Sequence, residues 1–309
     1  MTRTSLLPSL SQPTKKVGRR NEAIAAYVFL TPWLLGFFLL TIGPMLYSLY
    51  LSFTSYNLLS PPRWIGLDNF RTMFQDQRYL QSVGVTLKYV GFSVPLHLSV
   101  SLFVAMLLNR DMKFQSFYRS AFYLPSLLGG SVALAVLWRQ VWGAGGIVNA
   151  GLALLGIHHE TWTGDPSTAL FTLIVLRIWA FGATMVIFLA GLRQIPSEYY
   201  EAAQVDGANG FQRFRSITLP LLTPIIFFNL ILDLVASLGA FTSAFIISSG
   251  SGGPADSTLF YTLYLYIQGF AQLNMGFASA MAWMLFLVLA IITGAIFWSA
   301  KYWVHYGDK

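Results

Sequence analysis

Apolar residues in this chain fall into long unbroken runs rather than into an alternation with polar positions. A membrane-crossing helix needs roughly 20 mostly apolar residues. Six runs reach that length, at about Ala23–Leu46, Val83–Leu108, Tyr118–Val141, Ala169–Leu192, Leu221–Ser248 and Phe277–Lys301. The first follows Lys15, Lys16, Arg19 and Arg20 as a signal peptide would. It exceeds the roughly 7–15 residues of a signal-peptide core, and no small-residue cleavage site follows, so it reads as an uncleaved span. The third is bracketed by Arg119 and Arg139, whose separation corresponds to about 30 Å of straight helix, one hydrocarbon core. Ser257–Met275 is also uncharged, but Gln268, Gln272 and Asn274 suit it poorly to the bilayer centre. It is expected as an extracytoplasmic interfacial helix rather than a seventh span. The pattern predicts an all-α membrane protein with six transmembrane helices. Residues 23–309 would form one transmembrane domain, behind a polar tail, residues 1–22, expected to be disordered.

Charge fixes the orientation. Thirteen lysines and arginines fall on the side of the tails and of the loops after the second and fourth runs, against five on the other side. By the positive-inside rule both termini are cytoplasmic. The net charge of +7 is therefore an orientation signal and gives no reason to expect a nucleic-acid partner. Only 10% of residues are charged and 55% are hydrophobic. A soluble domain of this size is about 25% charged. The absence of cysteine excludes thiolate chemistry and Cys-ligated metals.

The loop between the fourth and fifth runs, residues 195–220, carries the most local information. Pro196 and Ser197 start a helix with Glu198 and Glu201 in its first turns, where acidic groups suit the helix dipole. Gly207 ends it, at a position favouring positive φ. Asn209 with Gln212 three residues on forms a capping box for a second helix, along which Phe211, Phe214 and Ile217 recur at helical spacing. This describes either a rigid cytoplasmic knob for a partner's groove or an amphipathic connector resting on the membrane.

Glu201-Ala202-Ala203, then Gly207, Ile217, Leu219 and Pro220 match the spacing E-A-A-x3-G-x9-I-x-L-P. This resembles the EAA motif of permease subunits in binding-protein-dependent ABC importers. The fuller run, with WIGLDNF (Trp64–Phe70), FLAGLRQIP (Phe188–Pro196) and GSGGPADST (Gly250–Thr258), is similar to the sugar-importing, maltose-type and glycerol-phosphate-type branch. The resemblance covers nearly the whole chain. It implies the type I importer permease fold in the inner membrane of a prokaryote. It implies as partners a second permease, expected to be a different chain, two ATP-binding subunits and an extracytoplasmic solute-binding protein. It implies a sugar as substrate. Glu201, Ala202, Ala203, Asp206, Gly207, Phe211 and Phe214 would then couple to an ATPase. No Gly-Lys dipeptide occurs, so this chain lacks a phosphate-cradling loop of the Walker type. It is expected to be no enzyme and to carry no cofactor of its own, ATP and Mg residing on the partner ATPase.

Two ionisable residues lie inside spans and are functional candidates by that fact. Helix rise places Arg177 about 12 Å and Asp233 about 10 Å below the outer surface. They are expected to pair across the fourth and fifth spans. The alternatives are that Arg177 snorkels while Asp233 faces water, or that Arg177 binds an acidic substrate. Ser126, Ser131, Trp179, Gly182, Ser237, Gly239, Thr242 and Ser243 match the cavity-lining spans of maltose-type permeases by position and are candidates for the pathway. Each could equally be a packing or interfacial residue. The maltose-type branch often carries an amide-rich segment in the fifth span, where this chain has Ser237–Ser243. His97, alone on an apolar stretch, reads as structural. His158, His159 and Glu160 form a weak metal candidate, and no metal is expected. An ion-gradient-driven transporter is the competing function. Asp233 alone supports it thinly, and the EAA spacing argues against it.

Overall fold

A computed structural model describes residues 16–110, 113–156 and 161–305. His158, His159 and Glu160 lie outside the described residues. The chain divides into two compact units, residues 1–50 and 51–309. The first contains α1 (Lys16–Gly36), a π-helical turn at Phe37–Ile42 and the start of α2 (Gly43–Ser52). The polar stretch expected to be disordered is thus helical from Lys16 onward. Glu22–Ser52 is long and apolar enough to cross a membrane, and side chains such as Phe29 and Leu40 are exposed, as suits a lipid-facing helix.

The second unit opens with a short antiparallel pair, β1 (Thr54–Ser55) and β2 (Arg63–Trp64), in which Thr54 lies opposite Trp64. Helices follow: α3 (Asp68–Gln75), α4 (Gln77–Leu108), α5 (Gln115–Leu128), α6 (Val132–Val141), α7 (Ile147–Ala153), α8 (Ala169–Trp179) and α9 (Gly182–Leu192). The remainder are α10 (Ser197–Val205), α11 (Gly210–Arg213), α12 (Leu219–Leu238), α13 (Thr242–Ile247), α14 (Tyr261–Tyr266) and α15 (Met275–Trp303).

Local chemistry accounts for several boundaries. The Asp76 side chain accepts from the Arg78 amide at 2.9 Å and caps α4. In α12, Pro224 cannot donate to the carbonyl of Pro220. The hydroxyl of Thr223 donates to that carbonyl instead, at 2.6 Å, so the lost bond is replaced where water is scarce.

α4, α15 and the composite helix Gly210–Ile247 are long and apolar enough to span. Two further spans exist only as bent pairs: α5 with α6, bent by 101°, and α8 with α9, bent by 42°. This corrects the expectation of a straight third span between Arg119 and Arg139. The break falls where Gly130 takes φ +81° and Ser131 accepts from the Leu134 amide at 3.1 Å to start α6 afresh.

Residues 257–275 also differ from expectation. The helix continues from α14 through a π turn to Ala271. It is about 16 Å long, too short to cross a core of about 30 Å. Leu259, Phe260 and Leu263 are fully buried, in a core shared with α4 and α15, so the segment is a core element and not a helix lying on the surface. Tyr264 donates to the carboxylate of Asp76. Burial and that hydrogen bond push its hydroxyl up to about 12, so it stays protonated as the donor.

Two apolar clusters form the core. One gathers Met73, Tyr89, Leu173, Phe260 and Met281 toward the extracytoplasmic half. The other gathers Ala105, Leu108, Phe188, Leu189 and Leu222 toward the cytoplasmic half. The N-terminus of α15 seats directly on the β1 turn. The Gly276 amide donates to the Tyr56 carbonyl at 3.1 Å, and a Cβ on Gly276 would lie 2.1 Å from the Thr54 carbonyl oxygen. Backbone cannot yield there as a side chain would, so Gly276→Ala is expected to lower stability by about 1–3 kcal/mol. A fall in the thermal unfolding midpoint of the detergent-solubilised protein checks this.

Candidate functional site

Residues 195–220 fold as a capped helix, a glycine turn and a second capped helix. α10 ends in a paired-bond motif. The Ala208 amide donates to Ala203 O at 2.9 Å, and the Gly207 amide to Gln204 O at 3.1 Å. Gly207 has φ +79° and nothing within 4 Å of a built Cβ, so its requirement is conformational and not steric. The capping box is complete. The Gln212 amide donates to Asn209 Oδ1 at 3.0 Å, and the Asn209 amide to Gln212 Oε1 at 2.7 Å. The hydroxyls of Tyr200 and Thr218, 2.9 Å apart, tie the two helices together. Their pairing was not foreseen from sequence, because it joins residues 18 apart across the turn. Glu201, Ala202, Asp206 and Gly207 are exposed, Ala203 and Phe214 are half-buried, and Phe211 is 69% exposed. Pro220 does not interrupt the chain. α11 runs through a π turn, Phe214–Thr218, into α12, so the second loop helix is the cytoplasmic end of the fifth span.

On that same helix, Asp233 is 3% exposed. Arg177 Nη2 donates to its Oδ1, and His97 Nδ1 lies 3.0 Å from its Oδ2. A carboxylate only accepts, so the proton of that second contact is on Nδ1. The three residues come from α8, α12 and α4. Sequence reading placed Arg177 and Asp233 at similar depth but treated His97 as isolated. The missed signal was the helical step Tyr89, Ser93, His97, Ser101, a four-residue repeat of polar groups on one face of α4, all of them buried. His97 Nε2, Arg177 Nε and Ser237 Oγ are buried with no hydrogen-bond partner among the described residues.

Arg177 also borders a cavity of about 240 Å³, whose wall includes Tyr89, Gly129, Gly130, Thr242 and Ser243. Of the residues considered for the pathway, Thr242 and Ser243 line this cavity. The others lie outside its wall. Ser126 donates to Tyr123 O at 2.6 Å, and Ser131 caps α6. Trp179 packs on Trp138, with centroids 5.8 Å apart. A Cβ on Gly182 would lie 2.4 Å from Phe122 O, so this glycine lets α9 touch α5. Ser237 is buried, and Gly239 ends α12.

Residues 74–303 match the family described as "Binding-protein-dependent transport system inner membrane component". The chain belongs to that family. The permease is 51% identical over 292 residues to the probable ABC transporter permease protein YesP of Bacillus subtilis, with 94% of each chain covered. It is 31% identical to the probable starch degradation products transport system permease protein AmyD of Thermoanaerobacterium thermosulfurigenes, covering 90% of this chain and 94% of that one. A subunit of a bacterial alginate ABC transporter, solved in complex with an alginate pentasaccharide-bound periplasmic protein, shares the fold. Its TM-score is 0.77 at 22% identity, over 94% of this chain and 98% of that one.

In the permease, Asp233 is buried and accepts from both neighbours, so removing one charge leaves the other uncompensated. Asp233→Ala is expected to cost about 3–5 kcal/mol. Adding Arg177→Ala should recover part of that loss, because no lone charge then remains. Thermal melts of the two single variants and the double variant test the coupling. Additive losses would mean that the two charges do not stabilise each other.

Proposed function

We propose that this permease forms, together with a second and different permease, the path by which a sugar or oligosaccharide crosses the inner membrane after delivery by an extracytoplasmic binding protein. Two ATP-binding subunits supply the energy, holding ATP and Mg themselves. The observation that carries this reading is the exposed, doubly capped loop at residues 195–220, built as one piece with a transmembrane helix. Caps and the Tyr200–Thr218 bond leave the loop little freedom of its own. Val205 and Phe211 are 89% and 69% exposed, an apolar surface that suits a groove on a partner better than water. Glu201 and Asp206 sit beside it for electrostatic contact.

The sugar assignment is supported by the starch-degradation-product name of AmyD and the alginate in the complex of the shared-fold transporter. The coupling route follows from the helix. Gly210 to Asp233 is about 35 Å of continuous helix. A displacement of the loop by a closing ATPase pair therefore moves Asp233, and with it Arg177 on the cavity wall. The path passes Arg177, Thr242 and Ser243. A gradient-driven transporter would also use an intramembrane carboxylate, but here Asp233 is already neutralised by Arg177.

Two outcomes are expected. Gly207→Asp forces a side chain into left-handed backbone, a strain of roughly 1–2 kcal/mol. It should leave membrane insertion intact while ATP hydrolysis no longer drives uptake; normal uptake would refute the coupling role. In vesicles holding the assembled transporter, sugar uptake should require both ATP and added binding protein. Uptake driven by an ion gradient alone would reverse the assignment.

A further inference from the structure

At the cytoplasmic end of α4 and α5, away from Arg177, Asp233 and His97, lies a cavity of about 440 Å³. Val104, Leu107, Leu108 and Phe122 give it apolar walls; Tyr118, Arg110 and Lys113 complete it. None of Arg110, Lys113, Arg119 and Arg193 makes an ion pair among the described residues. Asp111, outside the described residues, leaves this group of charges with a net positive balance. Arg119, on α5 but outside the cavity wall, has its Nε and Nη2 atoms buried without a hydrogen-bond partner among the described residues.

The position identifies the ligand chemistry. Arg110 follows the last turn of a span at the cytoplasmic face, the level of the inner-leaflet headgroups. Leu107, Tyr118 and Phe122 are 41%, 43% and 38% exposed, on the side of the span that a lipid chain would cover. A free phosphate ion would gain nothing from these apolar walls, and an uncharged lipid nothing from the cations. A ligand with a phosphate head and an acyl chain is complementary to both. Basic pockets between transmembrane helices on the cytoplasmic side recognise anionic headgroups for this reason. The side chain of Gln115 ties the two helices together beside the cavity. It donates to the carbonyls of Leu108 and Arg110 at the end of α4 and accepts from Arg193 at 3.1 Å, so the last turn of α4 is held beside α5. We propose that this cavity is a binding site for an anionic phospholipid of the inner leaflet, its phosphate between Arg110 and Lys113 and a chain along Val104, Leu107 and Phe122.

The assembled transporter, purified in detergent and stripped of lipid, is titrated with dioleoyl-phosphatidylglycerol or dioleoyl-phosphatidylcholine and read by native mass spectrometry. Phosphatidylglycerol should bind in preference. Arg110→Gln with Lys113→Gln should weaken it roughly 10–30-fold, at about tenfold or less per charge. The charge-preserving Arg110→Lys with Lys113→Arg should retain it, which separates lost recognition from a damaged fold. Equal binding of both lipids, unchanged binding by the double Gln variant, or displacement by millimolar inorganic phosphate would each overturn the site. A photo-crosslinking residue, Tyr118→p-benzoyl-phenylalanine, distinguishes occupants in native membranes. A lipid adduct supports the proposal, and an adduct with another transporter chain in its place refutes it.

Discussion

A carboxylate in a low-dielectric interior must be compensated, and Asp233 is compensated from two directions at once. Arg177 and His97 reach it from separate helices, so α4, α8 and α12 can pack in only one register without stranding a charge. The contact lies where the two apolar clusters meet. Along α4, Tyr89 belongs to one cluster and Ala105 to the other, with His97 between; Leu222 on α12 and Ala240 just beyond its end, packed against the first cluster, flank Asp233 in the same way. Apolar packing in a membrane gives little directional preference, since lipid is as apolar as leucine. The polar contact supplies that preference, and the clusters fill in around it.

The same helix links this contact to the cytoplasmic face. The loop is stiffened by reciprocal caps, a paired-bond helix end and the Tyr200–Thr218 hydroxyl contact. Its second helix then continues without a break into the fifth span. The broken spans lie on the other side of the cavity. α5 and α6 meet at Gly129 and Gly130, and both glycines line the space that Arg177 borders. A continuous helix stands on one side and bent spans on the other.

Many small polar residues in the spans serve the backbone. Thr223 answers the carbonyl freed by Pro224, Ser131 caps α6, and Ser126 and Gly182 lie where α5 and α9 touch. Residue type alone does not separate these duties from lining a pathway, since hydroxyls and glycines serve both. Thr242 and Ser243 differ from the rest by where a break after Gly239 turns them, toward the cavity.

Sequence alone determined the membrane class, the runs long enough to span, the orientation and the caps and glycine turn of the loop at residues 195–220. Each rests on local or one-dimensional physics: apolar length against bilayer thickness, the placement of lysine and arginine, and caps that act within a few residues. It also brought Arg177 and Asp233 to one depth, because helix rise converts position into height. Only the tertiary structure decided that His97 completes their contact, that the third span turns through 101° and that residues 257–275 are core. Depth is additive along a helix, whereas azimuth, bending and burial depend on which neighbouring helix each face meets, and that is set by packing among residues far apart in the chain.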